Sequence, residues 1–166
     1  MRYFITFTCY GARVHGDESG SVDRNHNTPG SRLLAPDPHL VAVEQQQMVH
    51  APYSLNCAER ESVLQAMEEV CSTRGWTLLA AHVHTNRVHA VVEAGVRPER
   101  VMNDFKSYAS RRLNRSGIDD ANRKRWARHG STRWLWTDQD VRDAIQYVVE
   151  GQGDHAMAVL VHKDAR

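Results

Sequence analysis

Three histidines and an arginine stand close together in the segment HVHTNRVHAVV, residues 82 to 92. His82 and His84 precede a Thr-Asn pair, and Arg87 and His89 follow it. Imidazole nitrogens bind metal ions or move protons near neutral pH, whereas a guanidinium stays protonated and offers no lone pair. The segment therefore predicts either a metal site or a polar strand hairpin that is rich in histidine.

The spacing of these residues predicts that they share one face of a hairpin. A turn centred on residues 85 and 86 pairs His84 with Arg87 and His82 with His89, and directly paired residues share a face. The opposite face, which we predict to be the core side, receives Val83, Val88, Ala90 and Val92. The charge of Arg87 opposes a nearby divalent cation, so metal binding and ordinary strand hydrogen bonding both stay open.

The rest of the chain predicts the elements that position this hairpin. Beyond the hairpin strands, the patterns predict strands at 3–10 and 131–137 and helices at 58–73, about 98–114 and 138–151. A long polar connection at about 11–56 contains one short predicted helix that starts at Asp37 and Pro38. This order predicts an α+β fold, a ferredoxin-like antiparallel sheet with helices on one face and an added C-terminal helix. We expect residues 1–166 to form a single domain, with residues 11–56 as an insertion.

Composition limits the classes of function. No apolar run approaches the roughly 18 to 20 residues that span a bilayer, and the N-terminal sequence lacks a signal-peptide pattern, so we expect a soluble, cytoplasmic protein without a membrane partner. Three widely spaced cysteines favour free thiols. The net charge is +1, but residues 97–133 hold eleven basic residues against four acidic ones, an excess of seven. Such a block predicts local attraction for a polyanion, or a solvated charged face.

The helix at about 98–114 carries the centre of this basic block. Basic side chains neutralise phosphates, and an aromatic ring can stack on an unpaired base. The residues that we predict to contact DNA are Lys106, Tyr108, Arg111, Arg112 and Arg115. Tyr108 is equally typical of packing against the sheet. Trp134 and Trp136 alternate on a strand, and this pattern predicts core or dimer contacts for them. Asp138 is the predicted cap of the last helix.

The hairpin resembles the signature of the single-tyrosine HUH nucleases, the small insertion-sequence and REP-associated tyrosine transposases. In that signature an asparagine precedes two histidines that flank a hydrophobic residue. Here the corresponding residues are Asn86, Arg87, Val88 and His89, so an arginine takes the place of the first histidine. The segments YFITFTCYG, VMNDFKSYASRRLNR, STRWLW and AIQYVVEGQG follow in the order of the family. The resemblance covers most of the chain outside residues 11–56.

In the family that the chain resembles, a tyrosine on the C-terminal helix attacks a phosphodiester of single-stranded DNA. The attack leaves a 5′-phosphotyrosine and a free 3′-hydroxyl, and Tyr147 holds the matching position. A phenol loses its proton only near pH 10, so a neighbouring cation is needed to favour the phenolate. Periodicity alone describes Tyr147 as a core aromatic, whereas the resemblance makes it the predicted nucleophile. Family order also favours it over Tyr108, because the catalytic tyrosine follows the last strand.

The resemblance implies that Mg²⁺ or Mn²⁺ is held by the two histidines of the signature and a polar residue about one turn beyond the tyrosine. His89 matches the second histidine, and Glu150 or Gln152 stands near the third position. Three alternatives follow for the missing first histidine. Either His84 or His82 supplies the imidazole from across the hairpin, a weakened site forms without it, or cleavage is lost.

The sequence therefore predicts a transposase-like, metal-dependent enzyme that binds single-stranded or hairpin DNA and cuts and joins one strand through Tyr147. Arg87 is a candidate contact for the scissile phosphate, because arginine binds phosphate oxygens well. The resemblance implies a homodimer, in which the tyrosine helix serves its own site or that of the partner. The alternative function is a DNA-binding protein that has lost cleavage through Arg87, and a weaker alternative is a nuclease or ligase that acts on RNA.

Overall fold

The computed structural model describes residues 1–12 and 38–150 and the backbone of residues 159–161. In chain order the elements are β1 (Arg2–Cys9), α1 (Pro38–Gln47), α2 (Cys57–Arg74), β2 (Thr77–Val83), β3 (Arg87–Glu93), α3 (Pro98–Arg115), β4 (Trp126–Leu135), α4 (Asp138–Glu150) and β5 (Val159–Val161). The predicted helix of the long connection is confirmed, while its predicted cap, Asp37, lies outside the described residues, as does Gln152. None of these helices combines the length and apolar character that crossing a membrane requires.

The strands form one antiparallel sheet in the order β4-β1-β3-β2-β5. The first four strands have the arrangement of a ferredoxin-like sheet, so the predicted fold class is confirmed. β5 has no counterpart among the predicted strands, because three residues are too few to show an alternating pattern. β4 begins at Trp126, earlier than predicted, because its first half alternates little in polarity.

Helices cover the two faces of this sheet unequally. α2 and α3 pack on one face, where Ile5 and Phe7 of β1 lie in the main core. α4 packs on the opposite face through Ala144 and Val148, in a smaller apolar cluster. The prediction of helices on one face with an added C-terminal helix is therefore confirmed, and the added helix lies on the other face.

The first turn of α2 lies against the turn of the β2–β3 hairpin. The backbone N–H of Leu55 donates to the carbonyl oxygen of Thr85, with 2.7 Å between nitrogen and oxygen. Asn56 and Glu59 then form a reciprocal capping box at the start of α2. The start of α2 is thereby anchored to the hairpin turn.

The start of α4 is capped one residue earlier than predicted. The Thr137 hydroxyl accepts the backbone N–H of Asp140, and the Asp140 carboxylate accepts the backbone N–H of Thr137. Asp138, the predicted cap, instead binds Arg2 of β1 with 2.5 Å between nitrogen and oxygen. The predicted cap is therefore wrong, because the threonine before it satisfies the helix end.

The two tryptophans at the end of β4 are exposed. Trp134 is 37% exposed and Trp136 is 75% exposed, and their rings stack on each other with centroids 5.2 Å apart. A core position for them is wrong, because β4 is the edge of the sheet and no described strand covers its outer side. Their proposed role in dimer contacts stays a prediction.

Gly130 of β4 lies where a larger residue would collide with β1. A Cβ atom added there would stand 2.5 Å from the carbonyl oxygen of Thr6 and 2.5 Å from Sδ of Met102. We expect Gly130→Ala to lower the free energy of unfolding by about 1–3 kcal/mol, because the backbone of β1 must shift to accept the methyl group. Urea denaturation measures this loss.

The control for this substitution is Gly95→Ala, because a Cβ atom added at Gly95 meets nothing within 4 Å. We expect its free energy of unfolding to stay within about 0.5 kcal/mol of the unsubstituted protein. Equal stability of the Gly130→Ala and Gly95→Ala proteins would contradict the described packing of β4 on β1.

Candidate active site

The predicted pairing of the β2–β3 hairpin is confirmed. His82 lies opposite His89, and the backbone N–H of His84 donates to the carbonyl oxygen of Arg87 at 2.8 Å. The rings of His82 and His84 stack with centroids 3.7 Å apart, and those of His84 and His89 meet edge to face at 5.5 Å. These four residues share one side of the sheet, which we call the histidine face. The residues buried in the core on the other side are, as predicted, Val83, Val88, Ala90 and Val92.

The histidines are buried, because α4 lies across part of this face. His82, His84 and His89 are 2%, 3% and 5% exposed. Nδ1 of His82 lies 3.0 Å from the carbonyl oxygen of Val148 on α4. A carbonyl can only accept, so Nδ1 of His82 donates the proton of this bond. Nδ1 of His89 lies 2.8 Å from the hydroxyl oxygen of Thr6. The histidine face is therefore held on both sides, by α4 and by β1.

Tyr147 lies beside His89 in the same chain. The two rings meet edge to face with centroids 5.8 Å apart, and the Tyr147 ring makes a similar contact with Phe4 of β1. Tyr147 is 47% exposed, whereas the neighbouring Val148 is buried against the sheet. Tyr147 is thus not the buried core aromatic that periodicity alone describes. The structure brings the predicted nucleophile and the matched histidine together.

The surroundings of His84 are cationic. Burial, together with four neighbouring groups, lowers the pKa of His84 from its ordinary 6.5 to about 3, and burial is the largest of these causes. Those groups are His82, Arg87, His89 and Arg60. The His84 ring is therefore neutral at physiological pH, and additional positive charge beside it is unfavourable.

The described side chains do not fit the divalent metal site that the sequence predicts. Within residues 1–12 and 38–150, no three His, Cys, Asp or Glu side chains are arranged to hold one ion. Arg87 occupies the first ligand position and offers no lone pair. Glu150 is exposed and accepts a hydrogen bond from Gln146. Mg²⁺ and Mn²⁺ prefer oxygen ligands, which the imidazoles beside Arg87 do not supply.

Lys106, the first predicted DNA contact on α3, is used inside the protein. It is 8% exposed, and Nζ donates to the carbonyl oxygens of Ala127 and His129 at 3.0 and 3.2 Å. Burial lowers the pKa of this amine. The amine joins α3 to β4, so a DNA phosphate has little access to it.

The other predicted DNA contacts of α3 lie on the side of the sheet opposite the histidine face. Arg112 binds Glu69 and Gln65 of α2. The guanidinium of Arg111 lies over the half-buried ring of Tyr108, with 4.4 Å between the guanidinium carbon and the ring centroid. The exposed members of this set are Arg111 and Arg115. The structure therefore does not bring the predicted DNA contacts to the predicted nucleophile.

Two further residues of the site lie outside the sequence-based set. Phe4 of β1 stacks on His89 with centroids 5.8 Å apart, and it also contacts Tyr147. The guanidinium carbon of Arg133 lies 5.7 Å from the centroid of the Phe4 ring. Alternation places each residue on a face of its own strand, but only the pairing of β1 with β4 places Phe4 opposite Arg133. The pattern of a single strand does not report this pairing, so the sequence analysis does not identify Phe4 and Arg133.

Comparisons with known proteins identify a matching family, and solved structures of similar fold are known. The family described as "Transposase IS200 like" matches residues 39–150. A solved structure described as "Structure of the REP associates tyrosine transposase bound to a REP hairpin" is 12% identical over 89% of this chain, with a TM-score of 0.48. The match covers 63% of that solved chain, so this chain spans less than two thirds of its length. No curated protein matches the sequence.

Proposed function

This chain belongs to the IS200-like transposase family, and on that premise we propose that it binds single-stranded or hairpin DNA and cuts and joins one strand through Tyr147. The observation that carries the proposal is the contact between Tyr147 and His89, whose ring centroids are 5.8 Å apart. An exposed phenol beside a buried imidazole unites a nucleophile with a group that can take its proton. The arginines of the same face supply positive charge for a phosphate.

The proposed reaction exchanges one ester bond for another. The Tyr147 oxygen attacks phosphorus, a new oxygen–phosphorus bond forms, and the bond from phosphorus to the 3′ oxygen breaks. The phenolic proton passes to His89, and the departing oxygen takes up a proton to become a 3′-hydroxyl. Arg87 donates to the phosphate oxygens and offsets the charge that develops on them. Reversal of the same steps joins the strand to a new 3′-hydroxyl.

The DNA strand is proposed to lie on the histidine face. Arg133 and Arg87 are the arginines of this face near the nucleophile, and Phe4 lies between Arg133 and Tyr147. Tyr108, Arg111 and Arg115 stay candidates for contacts with a longer DNA on the opposite side of the sheet. Lys106 and Arg112 are not part of this proposal, because both are bound within the protein.

A homodimer is also part of the proposal, and its support is the resemblance to the family. The contact between Tyr147 and His89 within one chain supports a site that each subunit completes for itself.

A second candidate function, DNA binding without cleavage, is favoured by one observation. That observation is the arginine at position 87, where the family signature has a metal-binding histidine.

The first test of the proposal is a covalent adduct. Labelled single-stranded DNA that flanks a hairpin is incubated with the protein and resolved on a denaturing gel. We expect a slow-migrating adduct in the unsubstituted protein and its loss, by at least about a hundredfold, in Tyr147→Phe, because no other oxygen can replace the removed nucleophile.

Tyr108→Phe is the matched control for this substitution, because it removes a second phenol from the opposite side of the sheet. We expect it to form the adduct as the unsubstituted protein does. An adduct that depends on Tyr108, or one that survives Tyr147→Phe, contradicts the assignment of the nucleophile. DNA binding without any adduct supports the second candidate function.

The predicted Mg²⁺ or Mn²⁺ is tested by Arg87→His, which adds an imidazole two residues before His89 on the same face. We expect the substitution to tighten Mn²⁺ binding at least about tenfold, because one ligand replaces one opposing charge. Titration calorimetry measures the affinity, and Arg115→His on α3 is the control. Equal Mn²⁺ affinity of the unsubstituted and Arg87→His proteins would show that Arg87 does not block a metal site.

A further inference from the structure

Arg60 on the first turn of α2 has an unused hydrogen-bonding group. Its backbone N–H donates to the carbonyl oxygen of Asn56 at 2.9 Å, and Nη2 donates to Sγ of Cys57 at 3.2 Å. Its Nε is buried and has no hydrogen-bond partner among the described residues. A buried guanidinium N–H without an acceptor destabilises the protein, so an acceptor from a ligand would be bound favourably.

His84 has the same property on the neighbouring element. It is 3% exposed, and its Nε2 has no hydrogen-bond partner within residues 1–12 and 38–150. The bond from Leu55 to Thr85 holds the start of α2 against the hairpin turn that follows His84. This bond brings the first turn of α2, which carries Arg60, to the turn that His84 and Arg87 flank, and the backbone N–H of His84 donates to the carbonyl oxygen of Arg87. The effect of both arginines on the pKa of His84 agrees with this placement.

We propose that Arg60, Arg87 and His84 form a binding site for a phosphate group of the DNA strand, at the end of the sheet where β2 turns into β3. Phosphate oxygens only accept hydrogen bonds, and each guanidinium offers several donors in a planar fork. A neutral imidazole that carries its proton on Nε2 adds another donor. Two fixed positive charges attract an anion and repel a divalent cation.

This site deepens the proposed function and rests on it for the identity of the ligand. The ring of His84 contacts that of His89, and His89 contacts Tyr147, so the bound phosphate lies on the same face as the nucleophile. In this arrangement Arg60 and Arg87 perform the charge neutralisation for which the family signature provides a metal ligand. Arg60 comes from a different element than the signature, so no motif at the hairpin identifies it.

The first arm of the test uses inorganic phosphate as the probe and needs no DNA. The melting temperature of the full chain is followed against phosphate concentration, with chloride at equal ionic strength as the reference. We expect a saturable rise for the unsubstituted protein and an apparent phosphate affinity about tenfold lower for Arg60→Gln. Arg60→Lys keeps the charge and is expected to lie between the two. Arg97→Gln, at an exposed arginine directly before α3, is the control and should respond like the unsubstituted protein.

The second arm uses DNA in which one phosphate at a time is replaced by an uncharged methylphosphonate. Replacement of one particular phosphate should lower the DNA affinity of the unsubstituted protein about tenfold. The same replacement should not lower the DNA affinity of the Arg60→Gln protein any further, because that protein has already lost the contact. Arg97→Gln should leave the loss at that linkage unchanged. Such coupling between Arg60 and a single phosphate is not expected from a merely structural arginine.

The outcomes of the two arms separate the site from the function. Phosphate binding that depends on Arg60 without DNA binding supports the anion site and overturns the proposed function. A Tyr147-dependent adduct, together with an Arg60→Gln protein that binds phosphate and DNA like the unsubstituted chain, overturns the site and leaves the function standing. The absence of a saturable phosphate response in the unsubstituted protein also overturns the site.

Discussion

The antiparallel register of β2 and β3 is the constraint on which the site depends. With His82 opposite His89, the imidazoles and Arg87 lie on one face, and Val83, Val88 and Val92 lie in the main core on the other. A slip of one residue would exchange the two faces and bury the charged group in the core, so the register is strongly specified. The carbonyl of Val148 then binds His82, which holds the end of α4 over this face with Tyr147 at its rim.

Burial and the neighbouring groups together make the site unfavourable for positive charge. The three imidazoles are almost inaccessible to solvent, and the neighbouring groups that act on His84 all disfavour positive charge there. Removal of water strengthens such interactions, so Arg87 and Arg60 affect the site more than surface arginines would. The arginine at position 87 therefore has a physical consequence: its positive charge makes this end of the histidine face unfavourable for a cation.

Local sequence patterns predict much of the fold and part of the site. The register follows from two alternating strands around a short turn, and the helices α2 and α3 follow from their apolar stripes and end residues. The burial of Lys106 could not be predicted, because its amine binds carbonyl groups 21 and 23 residues away. The position of Arg60 near the hairpin turn likewise depends on a contact between α2 and that turn. Such contacts arise when elements pack, and no pattern within one element reports them.

The proposed site requires that one chain supplies both the nucleophile and the histidine face. Mixing two substituted proteins tests it most directly: Tyr147→Phe, which lacks the nucleophile, and His89→Ala, which lacks the contacting imidazole. The unsubstituted protein, tested in parallel, should form the covalent DNA adduct. We expect no adduct from the mixture, because neither chain contains both groups. An adduct in the mixture at a substantial fraction of the unsubstituted yield would show that tyrosine and histidine come from different chains and would contradict the account.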